Sequence, residues 1–128
     1  MILIVEDNAE NAELLRLYFE RKAGWTGCVC VEGNEIMRLC REGQARLVIM
    51  DIQLHNTFLD GKRVSGVALT RQLKADPRTA RIPVLLATAH AMRDEREQFL
   101  RESGAEGYLI KPFENYENLI VEVRQWLR

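Results

Sequence analysis

Short unbroken apolar runs alternate with longer stretches of helical spacing along this chain. Ile2–Val5 and Leu47–Met50 are continuous apolar runs, the pattern of strands covered on both faces. Trp25–Val31, Pro83–Ala87 and Gly107–Ile110 read as three further strands. Between the strands the spacing predicts five helices. The first covers about Ala9–Lys22, capped by Asn8 or a neighbour, with Leu14, Leu15, Tyr18 and Phe19 as its apolar stripe and Gly24 as its stop. The second covers Asn34–Arg41, with Ile36, Met37 and Cys40 inward and Gly43 at its end. The third carries Val67, Leu69 and Leu73 and closes near Asp76-Pro77. The fourth covers about Asp94–Ser103, with Phe99 and Leu100 inward and Gly104 beyond. The last runs Tyr116–Leu127, with Leu119, Ile120, Val123 and Trp126 or Leu127 inward. A polar loop from Gln53 to about Arg63 follows the third strand.

Five βα units in succession imply parallel strands, right-handed crossovers and a three-layer α/β/α sandwich. Such sheets bind ligands beyond the carboxyl ends of their strands. A length of 128 residues suits one domain over 1–128. The formal net charge of −1, with no basic stripe, argues against direct nucleic-acid binding. No apolar stretch approaches the roughly 20 residues of a membrane helix, and the N-terminus lacks a signal-peptide pattern. Cys28, Cys30 and Cys40 do not resemble a disulfide framework; the first two are expected on one face of a buried strand, in a reducing cytoplasm.

The strand ends carry the chemistry. The first strand ends in Glu6-Asp7, the third in Asp51, the fourth in Thr88 and the fifth in Lys111-Pro112. Any one of these residues alone is an ordinary cap or loop former; their joint order along one rim is what points to a site. Carboxylates gathered there repel one another, and a hard divalent cation such as Mg²⁺ relieves the repulsion. Lys111 adds a cation and Thr88 a hydroxyl donor. A carboxylate flanked by a metal and an ammonium group is placed to attack phosphorus.

Through Ile2-Leu3-Ile4-Val5-Glu6-Asp7-Asn8, Leu47-Val48-Ile49-Met50-Asp51, Ala87-Thr88-Ala89 and Lys111-Pro112-Phe113 the chain closely resembles the response-regulator receiver family, over nearly its whole length. The resemblance implies a flavodoxin-like (βα)5 fold with strand order 2-1-3-4-5. It implies Asp51 as phosphoacceptor, Asp7 as a direct Mg²⁺ ligand, Glu6 acting through metal-bound water, and the Gln53 carbonyl as a further ligand. Thr88 and Lys111 would each bond a phosphoryl oxygen, and the Lys111-Pro112 peptide would be cis. Tyr108 stands where the family keeps its aromatic switch, rotating inward as Thr88 moves. Gln53 and His90 occupy the positions that tune phosphoryl lifetime.

The implied partners are a sensor histidine kinase or a histidine phosphotransfer protein upstream, and an effector protein reading the face made by the fourth helix, fifth strand and fifth helix. The chain would be a monomer or a weak dimer through that face. It would catalyse only its own phosphorylation and dephosphorylation, which is not conventional enzyme activity. An alternative is a phosphorylation-independent interaction module, which loss of an acid, the threonine or the lysine would have favoured. An aspartate-nucleophile phosphatase would want an acid where Gln53 stands.

One segment departs from the family. Receivers usually have proline four residues after the acceptor and glycine eight after it. Here the first position is His55, and the third helix aligns best through Ser65-Gly66, 15 residues after Asp51. The loop is thus about seven residues longer than usual. Asp60-Gly61 mimics the usual turn but would misplace the downstream helix. Loops more often carry function than scaffolds do, so this one is expected to act as a lid or docking element beside Asp51, against the alternative of a tolerated insertion.

Overall fold

Residue alternation along the central strands sets the layers. In the computed structural model, which describes residues 1–89, 93–113 and 115–127, the strand β1 (Ile2–Val5) is buried throughout. So are β3 (Leu47–Asp51) and β6 (Val84–Thr88). Successive side chains of a strand point to opposite faces. Leu3, Val5, Val48, Met50, Val84 and Leu86 therefore enter one core. Ile2, Ile4, Leu47, Ile49, Leu85 and Ala87 enter the other.

Helices α2 (Gly33–Arg41), α3 (Gly66–Ala75) and α4 (Arg93–Ser103) close the first core with Ile36, Leu69, Leu73, Phe99 and Leu100. Helices α1 (Ala9–Tyr18) and α5 (Tyr116–Trp126) close the second with Ala12, Leu15, Leu119, Ile120 and Val123. With β2 (Gly27–Val29) and β7 (Gly107–Ile110) the parallel sheet has the order β2-β1-β3-β6-β7. That is the expected 2-1-3-4-5 once a separate two-stranded element is set aside.

Polar side chains start three of the helices, the first at the expected Asn8. Asn8 Oδ1 accepts from the Asn11 amide at 2.9 Å. Ser65 Oγ accepts from the Ala68 amide at 3.1 Å, and Asn115 Oδ1 from the amides of Glu117 and Asn118. Each side chain satisfies donors that the first helical turn leaves unpaired.

Several details differ from the sequence reading. Helix α1 stops at Tyr18 and continues as a π-helical turn, Phe19–Ala23, before Gly24 at φ 70°. The wider turn keeps Phe19 fully buried, its ring 5.6 Å from that of Trp25. Leu14 faces outward at 57 % exposure and does not join the stripe of Leu15 and Phe19. Strand β2 is shorter than expected, and Cys28 and Cys30 are half-buried against the first core, not buried; both are free thiols, as is Cys40.

The largest difference lies in the polar loop. It holds a hairpin, β4 (Phe58–Leu59) against β5 (Lys62–Arg63), antiparallel with Phe58 opposite Arg63 and Leu59 opposite Lys62. Asp60 at φ 51° and Gly61 at φ 82° form the two-residue turn. Positive φ at both central residues is the type I′ geometry, whose twist matches that of the strands it joins. Ser65 and Gly66 do begin α3, as the alignment required.

Candidate functional site

The carboxyl ends of β1, β3, β6 and β7 bring Glu6, Asp51, Thr88 and Lys111 to one rim. Parallel registers place Val5 beside Met50, Asp51 beside Ala87 and Thr88 beside Ile110, so each polar residue lies within a step of the next strand's end. The Lys111 amide donates to the Thr88 carbonyl at 2.8 Å, and the Lys111-Pro112 peptide is cis. Behind Asp51 the chain approaches itself closely. A Cβ on Gly66 would stand 2.0 Å from the Asp51 carbonyl oxygen and 2.8 Å from Ile52 Cα. Only glycine lets the start of α3 pack there.

Glu6, Asp51 and Thr88 are buried. Lys111 Nζ lies 3.0 and 3.1 Å from the two Glu6 oxygens and 3.3 Å from Asp51 Oδ2. Asp51 Oδ1 accepts from the Gln53 amide at 3.1 Å, and Glu6 Oε1 from Asn11 Nδ2 at 3.4 Å. Burial, and then the neighbouring Asp51 carboxyl, push the Glu6 carboxyl up to about 7, against the opposing pull of Lys111. Burial works to lower the Lys111 ammonium, but its bonds to Glu6 and the charge of Asp51 prevail and hold it above the ordinary lysine value.

Asp7 turns elsewhere: its Oδ2 accepts from the His55 amide. Among the described residues no three acid, histidine or cysteine side chains converge in a metal-holding arrangement. The donor chemistry nonetheless fits a hard cation. Glu6 and Asp51 share one ammonium and Asp7 adds a third carboxyl, so three carboxyl groups stand near one rim with a single ammonium between two of them.

Tyr108, in β7, is half-buried, with Arg96 Cζ of α4 at 4.7 Å from its ring centroid. His90 lies outside the described residues. The loop after Gln53 folds back toward α2: Asn34 Nδ2 donates to Asp60 Oδ1 at 2.9 Å and the Asp60 amide donates to Asn34 Oδ1 at 3.1 Å. Two contacts were missed from sequence, Arg96 on Tyr108 and the His55 amide on Asp7. Helical spacing from Phe99 to Arg96 was available for the first; nothing in the residue letters signals the second.

The family model of the response regulator receiver domain matches residues 2–124. The polar-differentiation response regulator DivK of Brucella anthropi is 38% identical over 111 residues, spanning 87% of this chain and 83% of that protein. The receiver domain of the sensor histidine kinase PA1611 from Pseudomonas aeruginosa PAO1, with a magnesium ion coordinated in its active site cleft, superposes with a TM-score of 0.80 at 27% identity, over 98% of this chain and 95% of that one. The signal receiver domain of a signal transduction histidine kinase from Syntrophus aciditrophicus gives 0.80 at 29% identity, over 98% and 88%.

Proposed function

The chain belongs to the response regulator receiver family, and on that premise we propose that Asp51 accepts a phosphoryl group and that its modification switches a protein-binding face. The observation that carries this reading is the placement of Asp51. It is buried at a strand end, one oxygen 3.3 Å from Lys111 Nζ and the other bonded to the Gln53 amide. A carboxylate oriented from both sides is held as a nucleophile for an incoming phosphorus centre.

Glu6, Asp7, Asp51 and the Gln53 carbonyl would hold Mg²⁺, which when bound supplies positive charge to the phosphoryl oxygens. Lys111 moves its ammonium from Glu6 and Asp51 onto a phosphoryl oxygen. Thr88 offers its hydroxyl to another. Tyr108 follows the space Thr88 leaves, parting from Arg96, and so alters the face of α4, β7 and α5. Gln53 and His90 flank the acceptor and set how readily water reaches it. The upstream donor is a histidine kinase or histidine phosphotransfer protein and the reader is an effector protein. The chain turns over only its own phosphoryl group, and it works in the cytoplasm; no helix among the described residues is long and apolar enough to cross a membrane.

The test is intact mass after incubation with a small phosphodonor and Mg²⁺. One phosphoryl adduct is expected in the parent, with none in Asp51→Asn or in chelator. An adduct that survives in Asp51→Asn would move the acceptor elsewhere. Absence of both adduct and Mg²⁺ binding would replace the reading with a phosphorylation-independent interaction module.

A further inference from the structure

We propose that His55 is a positioning residue for the acidic site. Its backbone amide latches Asp7 away from the other carboxylates, and metal binding has to break the latch. The inference rests on the reading that Asp7 is a metal ligand.

Asp7 Oδ2 accepts from the His55 amide at 2.5 Å, across 48 positions of sequence. A backbone N–H on a carboxylate is a charge-assisted bond, about twice as strong as a neutral one. The segment presenting that amide is anchored on both sides. Ile52 and Leu54 are buried in the first core, and the Gly66 amide donates to the Ile52 carbonyl at 3.2 Å. Beyond His55, Thr57 is fully buried and its carbonyl accepts from the Val64 amide at 2.9 Å. The hairpin that follows is fixed to α2 by the reciprocal Asn34–Asp60 bonds. The amide at position 55 is therefore tied to a built frame and cannot follow Asp7 as a free loop would.

Glu6 and Asp51 meet at Lys111, and Asp7 is not gathered with them. To join them around a cation the Asp7 carboxylate must turn, and turning gives up the His55 bond. Coupling of this kind is reciprocal. The latched loop weakens metal binding, and metal binding loosens the loop at position 55 by the same factor.

Backbone-amide NMR of the whole chain, titrated with MgCl₂, reads both sides of this linkage. His55→Pro removes the N–H, and His55→Ala keeps it. Losing one hydrogen bond to a charged group corresponds to a change of about tenfold or more. We expect Mg²⁺ to bind His55→Pro about tenfold more tightly than the parent, and His55→Ala to match the parent. Equal affinities in all three overturn the latch and leave the metal reading standing. No Mg²⁺-dependent shifts in the parent overturn both. Because proline can disturb the local fold, the parent alone supplies a second reading. Exchange of the His55 amide with solvent should be slow without Mg²⁺ and become several-fold faster at saturation; protection that persists at saturation sinks the proposal.

Discussion

Lys111 Nζ stands between Glu6 and Asp51, so one ammonium serves two buried carboxyls. The Glu6 carboxyl is raised from 4.5 to about 7, chiefly by burial. A folded-state value above the unfolded one means that the native state holds a proton the unfolded chain gives up. The stability this provides is complete below about 4.5 and is lost as pH rises through about 7. A cation at the same carboxyls competes with that proton, so Mg²⁺ affinity should climb between pH 6 and 8. NMR titrations of the parent at several pH values, beside Glu6→Gln, would check it; a slope that survives unchanged in the variant would place the titrating group elsewhere. At Tyr108 the relevant cation is Arg96, 4.7 Å from the ring. A cation over an aromatic face is worth about 0.5–1 kcal/mol when exposed and up to about 2 when desolvated. Arg96→Ala should therefore free the Tyr108 ring and shift the unphosphorylated chain toward the inward rotamer. Ring chemical shifts in the variant that match the parent would count against the switch.

Two glycines set how elements meet, and their substitutions should differ in cost and in where the cost falls. A Cβ at Gly66 would reach the Asp51 carbonyl, where neither the start of α3 nor the end of β3 can retreat without disturbing both core and acceptor. Gly66→Ala should cost about 1–3 kcal/mol in denaturant unfolding and reduce phosphoryl uptake. A Cβ at Gly33 would stand 2.3 Å from the Phe58 carbonyl, but here the obstacle is a surface hairpin. Gly33→Ala should push the hairpin off α2, so that its amides exchange faster with solvent and the unfolding midpoint falls by less than in Gly66→Ala; a loss as large as that of Gly66→Ala would show that the hairpin is part of the core. The elements themselves were mostly legible. Runs such as Ile2–Val5 and Leu47–Met50 are short and wholly apolar, as doubly covered strands are, and Asn8 caps the first helix as its side chain suggested. The hairpin was also signalled, since Asp-Gly is a favoured type I′ pair. Its two-residue strands are too short to show alternation, so the segment passed for a plain loop. Leu14 illustrates a different failure: an apolar letter at helical spacing does not say which side of the stripe ends at solvent.

At the scale of the molecule the parallel sheet accounts for why the site was readable at all. Parallel order brings every carboxyl strand end to one rim, so the letters following each apolar run name Glu6, Asp51, Thr88 and Lys111 without any knowledge of side-chain geometry. What remained hidden was the state of that rim. Which carboxyl an ammonium selects depends on distances, and a backbone amide is carried by every residue except proline, so no letter marks His55 as the donor to Asp7. The extended segment is likewise readable in length but not in destination: it leans on α2 through Asn34 and Gly33. That placement narrows the lid idea. Only the start of the segment touches the acidic site, while Phe58, Lys62 and Arg63 present an exposed aromatic and two cations well along the chain from it, with Arg63 5.8 Å over the Phe58 ring. A donor-excluding lid and a partner-docking hairpin then make separable predictions. Thr57 and Val64 are already joined by a hydrogen bond, so residues 58–63 can be replaced by a two-residue Asn-Gly turn with little strain. The fold should survive the replacement, because every fully buried core residue and the five-stranded sheet lie outside the excised residues, which give up only the packing of half-buried Leu59 on the first core. If the hairpin is a docking element, small-donor phosphorylation of the shortened chain should match the parent while transfer from a histidine kinase or phosphotransfer protein changes. If it is a lid, small donors should instead react faster and the phosphoryl group should be lost sooner. Unchanged rates in both assays would make the hairpin a tolerated insertion, and would leave Gln53 and His55, at the start of the segment, as its residues that reach the chemistry.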